Sequence, residues 1–122
     1  MLLIEDPWRV FLTTDHPNGG PFTSYPHLLR LLMDRSFRQS MLEAIHPRAA
    51  ENSLLRELTR EYTLDEVAII TRAAPARILG LHDRGTLSPG AMADVAVYAQ
   101  RDNWEATFER AWLVMKGGVE VV

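Results

Sequence analysis

RGTLSPGAMADVAVY, at residues 84–98, is the stretch of sequence that decides the fold. Its Pro89-Gly90 pair predicts a tight turn. Asp94 is placed to hydrogen-bond backbone groups just before a strand, which is predicted over residues 94–98. The stretch therefore indicates a turn that leads into a small β unit.

A short helix is predicted directly before this turn, within AAPARILGL at residues 73–81. Pro75 fits the first turn of a helix over residues 76–79, and Gly80 is placed to end it in a left-handed conformation. On the other side, apolar and β-branched residues fill 111–115 and 119–122, with Gly117-Gly118 between them. A Gly-Gly pair at that place predicts a β-hairpin.

The middle of the chain is predicted to be helical. From His27 onward, Leu28, Leu31 and Leu32 recur on one helical face. Further helices are predicted over 36–45, where His46-Pro47 ends the run, over 52–62, and from Leu64, where Thr63 and Glu66 have the spacing of a capping box.

The first residues predict a different element. Residues 8–14 mix β-branched and aromatic side chains and end at DHPNGGP, residues 15–21, whose Pro and Gly content stops any regular element. We predict a short buried strand that feeds a long loop. Such a strand has no neighbour in the sequence to pair with, so its backbone groups must find partners elsewhere.

The composition indicates an ordinary globular domain. The chain has 122 residues, of which 47% are hydrophobic and 24% charged, and its formal net charge is -3. This charge leaves no broad basic surface that would attract phosphate groups, so neither nucleic acid nor an anionic membrane is expected as a partner. The absence of cysteine excludes thiolate and iron–sulfur chemistry and suits a reducing cytosol, so a cytoplasmic location is expected. We expect no signal peptide and no membrane span.

Two groups of residues are candidate sites. The four histidines, His16, His27, His46 and His82, form no short ligand pair, and their spacing favours surface or capping roles over a metal set. TTDHPNGG, residues 13–20, places a carboxylate and an imidazole where a strand gives way to a glycine-rich loop. Catalytic residues occupy such strand ends in parallel α/β barrels, but the same residues also suit a turn in which Asp15 or Asn18 bonds the local backbone.

Residues 73–98 resemble the segment by which amidohydrolases return from their barrel to a small β-sandwich. LTTDHPNGGPFTSYP, residues 12–26, is similar to the segment around the last barrel strand in the family of formylmethanofuran dehydrogenase A subunits and of formyltransferase/hydrolase complex A subunits. The resemblance covers essentially the whole chain. It implies an α/β fragment: the last strand and helices of a (β/α)8 barrel at residues 1–82, followed by C-terminal β-sandwich strands and the hairpin at residues 83–122.

The resemblance also implies a zinc-dependent site. The last-strand aspartate of the family matches Asp15, which is expected to lie beside a pair of zinc ions as a metal ligand, as the base that activates water, or as both. His16 and Asn18 are expected to line the substrate pocket. The reaction implied is hydrolysis or formation of N-formylmethanofuran, from or to formate and methanofuran, in one-carbon metabolism.

The other metal ligands of the family, histidines and a carboxylated lysine on earlier strands, have no counterpart here, since Lys116 lies in the terminal hairpin. We therefore expect the chain to require the N-terminal part of the barrel and to be inactive alone. Other subunits of the complex are expected partners, among them the molybdenum or tungsten subunit that carries out the redox step.

Two alternatives remain open at this point. Another amidohydrolase, such as a dihydropyrimidinase or cyclic-imide hydrolase, shares the Pro-Gly-x-x-Ala-Asp region, although HPNGGPF at residues 16–22 argues against it. A non-catalytic α+β module is permitted by the length of the chain alone.

Overall fold

Six short α-helices and one three-stranded antiparallel sheet form the chain, which a computed structural model describes over residues 1–122. The helices are α1 Tyr25–Met33, α2 Arg35–Ala44, α3 Pro47–Glu51, α4 Leu64–Ala68, α5 Ala74–Ile78 and α6 Trp104–Glu109. The strands are β1 Val95–Val97, β2 Leu113–Lys116 and β3 Val119–Glu120. The longest helix, α2, has ten residues, and none of the six could cross a membrane.

The predicted capping box is confirmed at the start of α4. Thr63 Oγ1 accepts from the Glu66 backbone N–H at 3.2 Å, and Glu66 Oε2 accepts from the Thr63 N–H at 2.9 Å. The Thr63 backbone bond, together with the ion pair to Arg60, holds the pKa of Glu66 below its usual value. The box thus satisfies two of the amide groups that a helix start leaves open.

The helices predicted at residues 64 and 76 are one continuous run, because a π-helical segment, Ile69–Ala73, joins α4 to α5. Pro75 lies inside this run and has no N–H to donate. In a π-helix the N–H of residue 75 would donate to the carbonyl of residue 70. Because Pro75 has no N–H, the Ile70 carbonyl accepts instead from the Leu12 backbone N–H at 3.2 Å. Gly80 then ends the run with φ +70°, as predicted.

The core lies between α1 and the 64–78 run. Ile70 is fully buried, and α1 contributes Leu29, Leu32 and Met33. The predicted stripe is confirmed for Leu32, whereas Leu28 and Leu31 are only half-buried, and Leu29 and Met33 are the other core residues of α1. Helix α1 also packs against α6.

The helix predicted over residues 52–62 is wrong: only a 3-10 turn, Leu54–Arg56, forms there. The buried Arg38 side chain explains the difference. Its guanidinium donates to the carbonyls of Leu58 at 3.2 Å and Arg60 at 2.9 Å, and to that of Leu31 on α1 at 2.8 Å. The Leu58 carbonyl, which a helix would pair with the Tyr62 N–H, is thus bound to a side chain of α2, and the Tyr62 N–H donates instead to the Leu32 carbonyl at 3.0 Å.

Arg60 also fastens the first residues of the chain. Its guanidinium donates to the carbonyls of Leu2 and Ile4 and pairs with Glu66. Tyr62 adds a bond from its hydroxyl to the Met1 carbonyl at 3.1 Å. The N-terminal segment is therefore held against the entrance to α4.

Two helices were not predicted. His46-Pro47 does end α2, but it also begins α3, because His46 Nδ1 accepts from the Arg48 N–H at 3.3 Å. In the same way Asn103 Oδ1 accepts from Ala106 N–H at 2.9 Å and starts α6. Both starts carry ordinary signals, a proline at the first helical position and an asparagine cap.

The strand predicted over residues 8–14 does not form. Pro7–Arg9 is a 3-10 turn, and residues 10–15 have no strand beside them, with Leu12 bonded instead to the helical Ile70. Nor is the segment buried throughout, since Trp8 and Phe11 are exposed. A strand requires a partner strand, and none of the three in this chain lies there.

The three predicted C-terminal strands are confirmed, in the antiparallel order β1-β2-β3. Gly117 and Gly118 have φ of +57° and +82°, as a two-residue hairpin turn requires. Asp94 fixes this turn to β1, because its carboxylate accepts from Lys116 Nζ at 2.7 Å and from Gly117 N–H at 2.9 Å. The Lys116 bond, followed by that of Gly117, lowers the pKa of Asp94.

Gly85 packs closely against the end of the helical run at residues 64–78. Its φ is +81°, and a Cβ there would lie 2.7 Å from Ala76 Cβ and 2.9 Å from the Arg72 carbonyl oxygen. We expect Gly85→Ala to lower the free energy of unfolding by about 2–4 kcal/mol, from the left-handed backbone and from overpacking. Gly90→Ala is the control, because Gly90 has φ +88° with no atom within 4 Å. Thermal unfolding should show the larger loss for Gly85→Ala, and equal losses would contradict the close packing.

Candidate functional site

The predicted site lies in a loop that turns back on itself between residues 13 and 20. Thr14 is buried, whereas Asp15 is exposed and has φ +50°, the one positive value outside glycine in the chain. The Asp15 N–H donates to Thr13 Oγ1 at 3.2 Å, and the Gly19 N–H donates to the Asp15 carbonyl at 2.9 Å. The backbone of Asp15 is thus fixed on both sides.

Gly19 makes this return possible. A Cβ at Gly19 would lie 2.6 Å from the Thr14 carbonyl oxygen and 3.2 Å from Asp15 Cβ. Only glycine therefore allows the backbone to pass this close to Asp15. The glycine-rich character of residues 18–20 is evident in the sequence, but the contact that requires Gly19 could not be predicted from it.

The Asp15 carboxylate accepts no hydrogen bond and forms no ion pair within the chain. In this it differs from Asp34 and Asp94, whose carboxylates hold a helix start and the hairpin. A left-handed backbone costs an aspartate about 1–2 kcal/mol, and such conformations cluster at functional sites. The alternative prediction, a turn in which the Asp15 or Asn18 side chain hydrogen-bonds the local backbone, is wrong, because neither side chain forms such a bond.

His16 and Asn18 lie in the same loop as Asp15, and both are exposed. The His16 and Phe22 rings form a T-shaped pair with 5.4 Å between their centroids, and the His16-Pro17 peptide bond is cis. The loop therefore carries an exposed carboxylate, imidazole and amide within four residues.

Both ends of the loop are anchored. On the N-terminal side Leu12 is bonded to Ile70, whose carbonyl Pro75 leaves open. On the C-terminal side the 3-10 turn Phe22–Ser24 leads directly into α1. Pro75 and α1 thus position the loop, a role that sequence patterns did not assign to them.

The remaining histidines do not converge on this loop. His27 on α1 contacts Glu105 on α6, His46 caps α3, and His82 is exposed after α5. The prediction of surface and capping roles is confirmed for His46 and His82. No group of three or more His, Cys, Asp or Glu residues is able to hold a metal ion.

The donor set of the loop fits a zinc site only in part. A catalytic zinc ion takes about three protein ligands. The free, exposed Asp15 carboxylate suits one of them. Lys116 does not, because it is bound to Asp94 in the hairpin. The residues of the loop therefore fit at most a part of such a site.

A groove of about 600 Å³ lies between α1, the 64–78 run, β1 and α6. It begins beside Leu12, yet Asp15, His16 and Asn18 do not line it. Nine of its twelve lining residues are hydrophobic. The groove is thus an apolar surface next to the loop, separate from its polar groups.

The profile of the Amidohydrolase family matches residues 1–122. The chain belongs to the amidohydrolase family. Within it, the chain is 48% identical over its whole length to the A subunit of the formyltransferase/hydrolase complex Fhc of Methylorubrum extorquens. It is also 43% identical to "Protein FwdA" of Methanocaldococcus jannaschii over 93% of its length.

A solved structure supports the same relationship. The crystal structure of the formyltransferase/hydrolase complex (FhcABCD) from Methylorubrum extorquens in complex with methylofuran matches all of this amidohydrolase chain with a TM-score of 0.96 at 48% identity. The chain spans 22% of the length of that chain, and 22% of each of the two curated relatives. The predicted resemblance is confirmed.

Proposed function

We propose that this chain is the C-terminal part of the A subunit of a formylmethanofuran dehydrogenase or formyltransferase/hydrolase complex, which hydrolyses or forms the formamide of N-formylmethanofuran. The similarity to the Fhc relative and to FwdA along the chain supports this reaction over that of other amidohydrolases. The observation that carries it is Asp15, which has a left-handed backbone, a free carboxylate and an exposed position.

In the proposed mechanism Asp15 moves the proton. A water oxygen adds to the formyl carbon and gives a proton to the Asp15 carboxylate. That proton then passes to the amine nitrogen as the C–N bond breaks, which leaves formate and the free amine of methanofuran. The reverse sequence joins the two.

Zinc, when bound, would supply two effects: a lower pKa for water and a polarised formyl carbonyl. Asp15 is the residue of this chain that would hold it, as one ligand of a binuclear site. The remaining ligands belong to the preceding part of the subunit in this proposal.

His16 and Asn18 would line the substrate pocket, because they share the exposed loop with Asp15. The imidazole and the amide both offer hydrogen bonds to a formamide or to a furan-bearing amine. The relative whose structure was solved with methylofuran makes a methanofuran-type compound the first substrate to test.

The apolar groove of about 600 Å³ supports a role for the preceding polypeptide. The two curated relatives are several times longer than this chain, and the groove is lined mainly by hydrophobic residues, among them Leu64, which is 54% exposed and costly to leave in water. We propose that the earlier barrel elements cover it. Other subunits of the complex remain proposed partners, and a cytoplasmic location remains a prediction.

The proposal gives a prediction about the chain on its own. We expect the isolated chain to bind no stoichiometric zinc and to hydrolyse no formylmethanofuran, because Asp15 and His16 are too few to close a site. The intact subunit should do both. The measurement is zinc content per chain, together with formate release, for the two proteins side by side.

Tight stoichiometric zinc with turnover in the isolated chain would contradict the proposal that most ligands lie elsewhere. An intact subunit that binds zinc but cleaves a cyclic imide instead of formylmethanofuran would favour the dihydropyrimidinase-like alternative. An intact subunit with neither property would favour a non-catalytic module.

A further inference from the structure

Helix α6 contacts helix α1 through the acidic residue Glu105. Glu105 Oε1 lies 3.2 Å from His27 Nδ1, and Glu105 Oε2 lies 3.6 Å from Arg30 Nη1. Both partners are on α1, and all three side chains are partly buried, with 24% to 41% of each exposed. A single carboxylate thus bridges two successive turns of α1.

The helix that carries Glu105 is itself well fixed. Asn103 caps it, and Thr107 is buried, with its hydroxyl accepting from the Arg101 N–H at 3.0 Å and donating to the Asn103 carbonyl at 2.9 Å. The Phe108 ring packs edge-on against Tyr98, just after β1, with 5.3 Å between centroids. Glu105 is therefore presented from a rigid support.

Arg30 is held from the other side as well. Its Nε donates to Asp34 Oδ2 at 3.3 Å, and its guanidinium lies 3.8 Å from the centre of the Phe37 ring. Asp34 in turn accepts from the Phe37 N–H at 2.8 Å and begins α2. The α1, α2 and α6 helices thus meet at one arginine.

This cluster bears on the site because of where α1 begins. Only the 3-10 turn Phe22–Ser24 separates α1 from the loop, and His27 lies in the first turn of α1. The other end of the loop is fixed by the bond from Leu12 to Ile70. The position of Asp15 thus depends on how firmly the start of α1 is held.

We propose that Glu105 is a positioning residue for the loop at residues 13–20, here called the Asp15 loop, and that it acts through His27 and Arg30. The inference rests on the proposed function for its kinetic consequence, but the geometric effect does not depend on the substrate. A misplacement of a reacting group by about 1 Å lowers the rate even when the substitution lies far from the chemistry. Loss of the Glu105 charge should therefore lower kcat more than it changes KM.

The test uses the intact subunit in its complex, with Glu105→Gln compared with Glu109→Gln. Glu109 lies one turn later on α6 and lines the same polar cleft as His27, but it forms no ion pair. We expect Glu105→Gln to lower kcat roughly three- to tenfold with KM within about twofold, and Glu109→Gln to leave both near parental values. Glu105→Asp, which keeps the charge, should recover part of the loss.

A second readout separates positioning from general stability. Hydrogen exchange is measured in the peptide over residues 13–21, which contains the Gly19 N–H that donates to the Asp15 carbonyl. Its exchange should quicken several-fold in Glu105→Gln, while exchange over the β2–β3 hairpin stays unchanged.

Unchanged loop exchange and kcat in Glu105→Gln would overturn the proposal. So would equal effects of Glu109→Gln, or exchange that quickens throughout the chain. If the parental subunit does not act on formylmethanofuran, the proposed function fails, and loop exchange alone then decides whether Glu105 positions the loop.

Discussion

Replacing Asp15 with asparagine in the intact subunit is expected to lower kcat on formylmethanofuran by a factor on the order of 10²–10⁴. Asparagine keeps the volume of the side chain and its ability to hydrogen-bond, but it cannot take a proton from water. The loss should thus fall on the chemical step.

The same replacement should leave the loop in place. The loop is held at this position through the backbone of residue 15, whose N–H donates to Thr13 Oγ1 and whose carbonyl accepts from the Gly19 N–H. Asparagine adopts a left-handed backbone as readily as aspartate. We therefore expect an almost unchanged melting temperature. Zinc held by the remaining ligands should stay largely bound, although a site next to residue 15 is expected to weaken.

Asp102→Asn provides the matched control. Asp102 is exposed in the turn before α6, and its side chain has no partner in the chain. It undergoes the same chemical change away from the loop, so kcat should not change. A near-parental kcat for Asp15→Asn would remove Asp15 from the mechanism and make His16 the next candidate.

The largest expected effect on stability is that of Arg38→Met. Arg38 is 2% exposed, and burial lowers the pKa of its guanidinium. Its partners are three backbone carbonyls, so no second substitution can remove them. Each buried acceptor left without a donor costs about 1–3 kcal/mol. We expect a loss of about 3–5 kcal/mol, lessened by the apolar contacts of methionine.

Arg35→Met is the control, because Arg35 is exposed on the same helix. Melting temperature and limited proteolysis of the intact subunit should distinguish the two, with new cleavage within residues 54–62 only in Arg38→Met. An Arg38 variant as stable and as resistant as the Arg35 variant would show that residues 54–62 hold their shape without the guanidinium.

Local signals predicted much of the fold. The Thr63–Glu66 capping box, the left-handed Gly80 and the Gly-Gly hairpin all depend on neighbours a few residues apart, and all are present. The helix predicted over residues 52–62 does not form, because distant contacts decide the structure there. The apolar spacing of these residues suits a helix, but their backbone acceptors are bound by Arg38, which lies on a different helix earlier in the chain.

The site was predictable in composition but not in geometry. The Asp15 loop was found from its residue types and from its resemblance to a family. Its left-handed backbone, the contact that requires Gly19 and the anchor at Ile70 depend on distant contacts. The strand at residues 8–14 was predicted because its residue types favour strands. It does not form, because residue preference alone does not provide a partner strand to pair with.

The anchoring of the loop also has a consequence for synthesis on the ribosome. Asp15 emerges well before the residues that fix its surroundings: Leu12 gains its partner only with Ile70, and His27 only with Glu105. Contacts between such distant positions form slowly, because a long loop must close first. A nascent chain interrupted before α6 therefore contains the Asp15 carboxylate without the Glu105 contact that holds the start of α1.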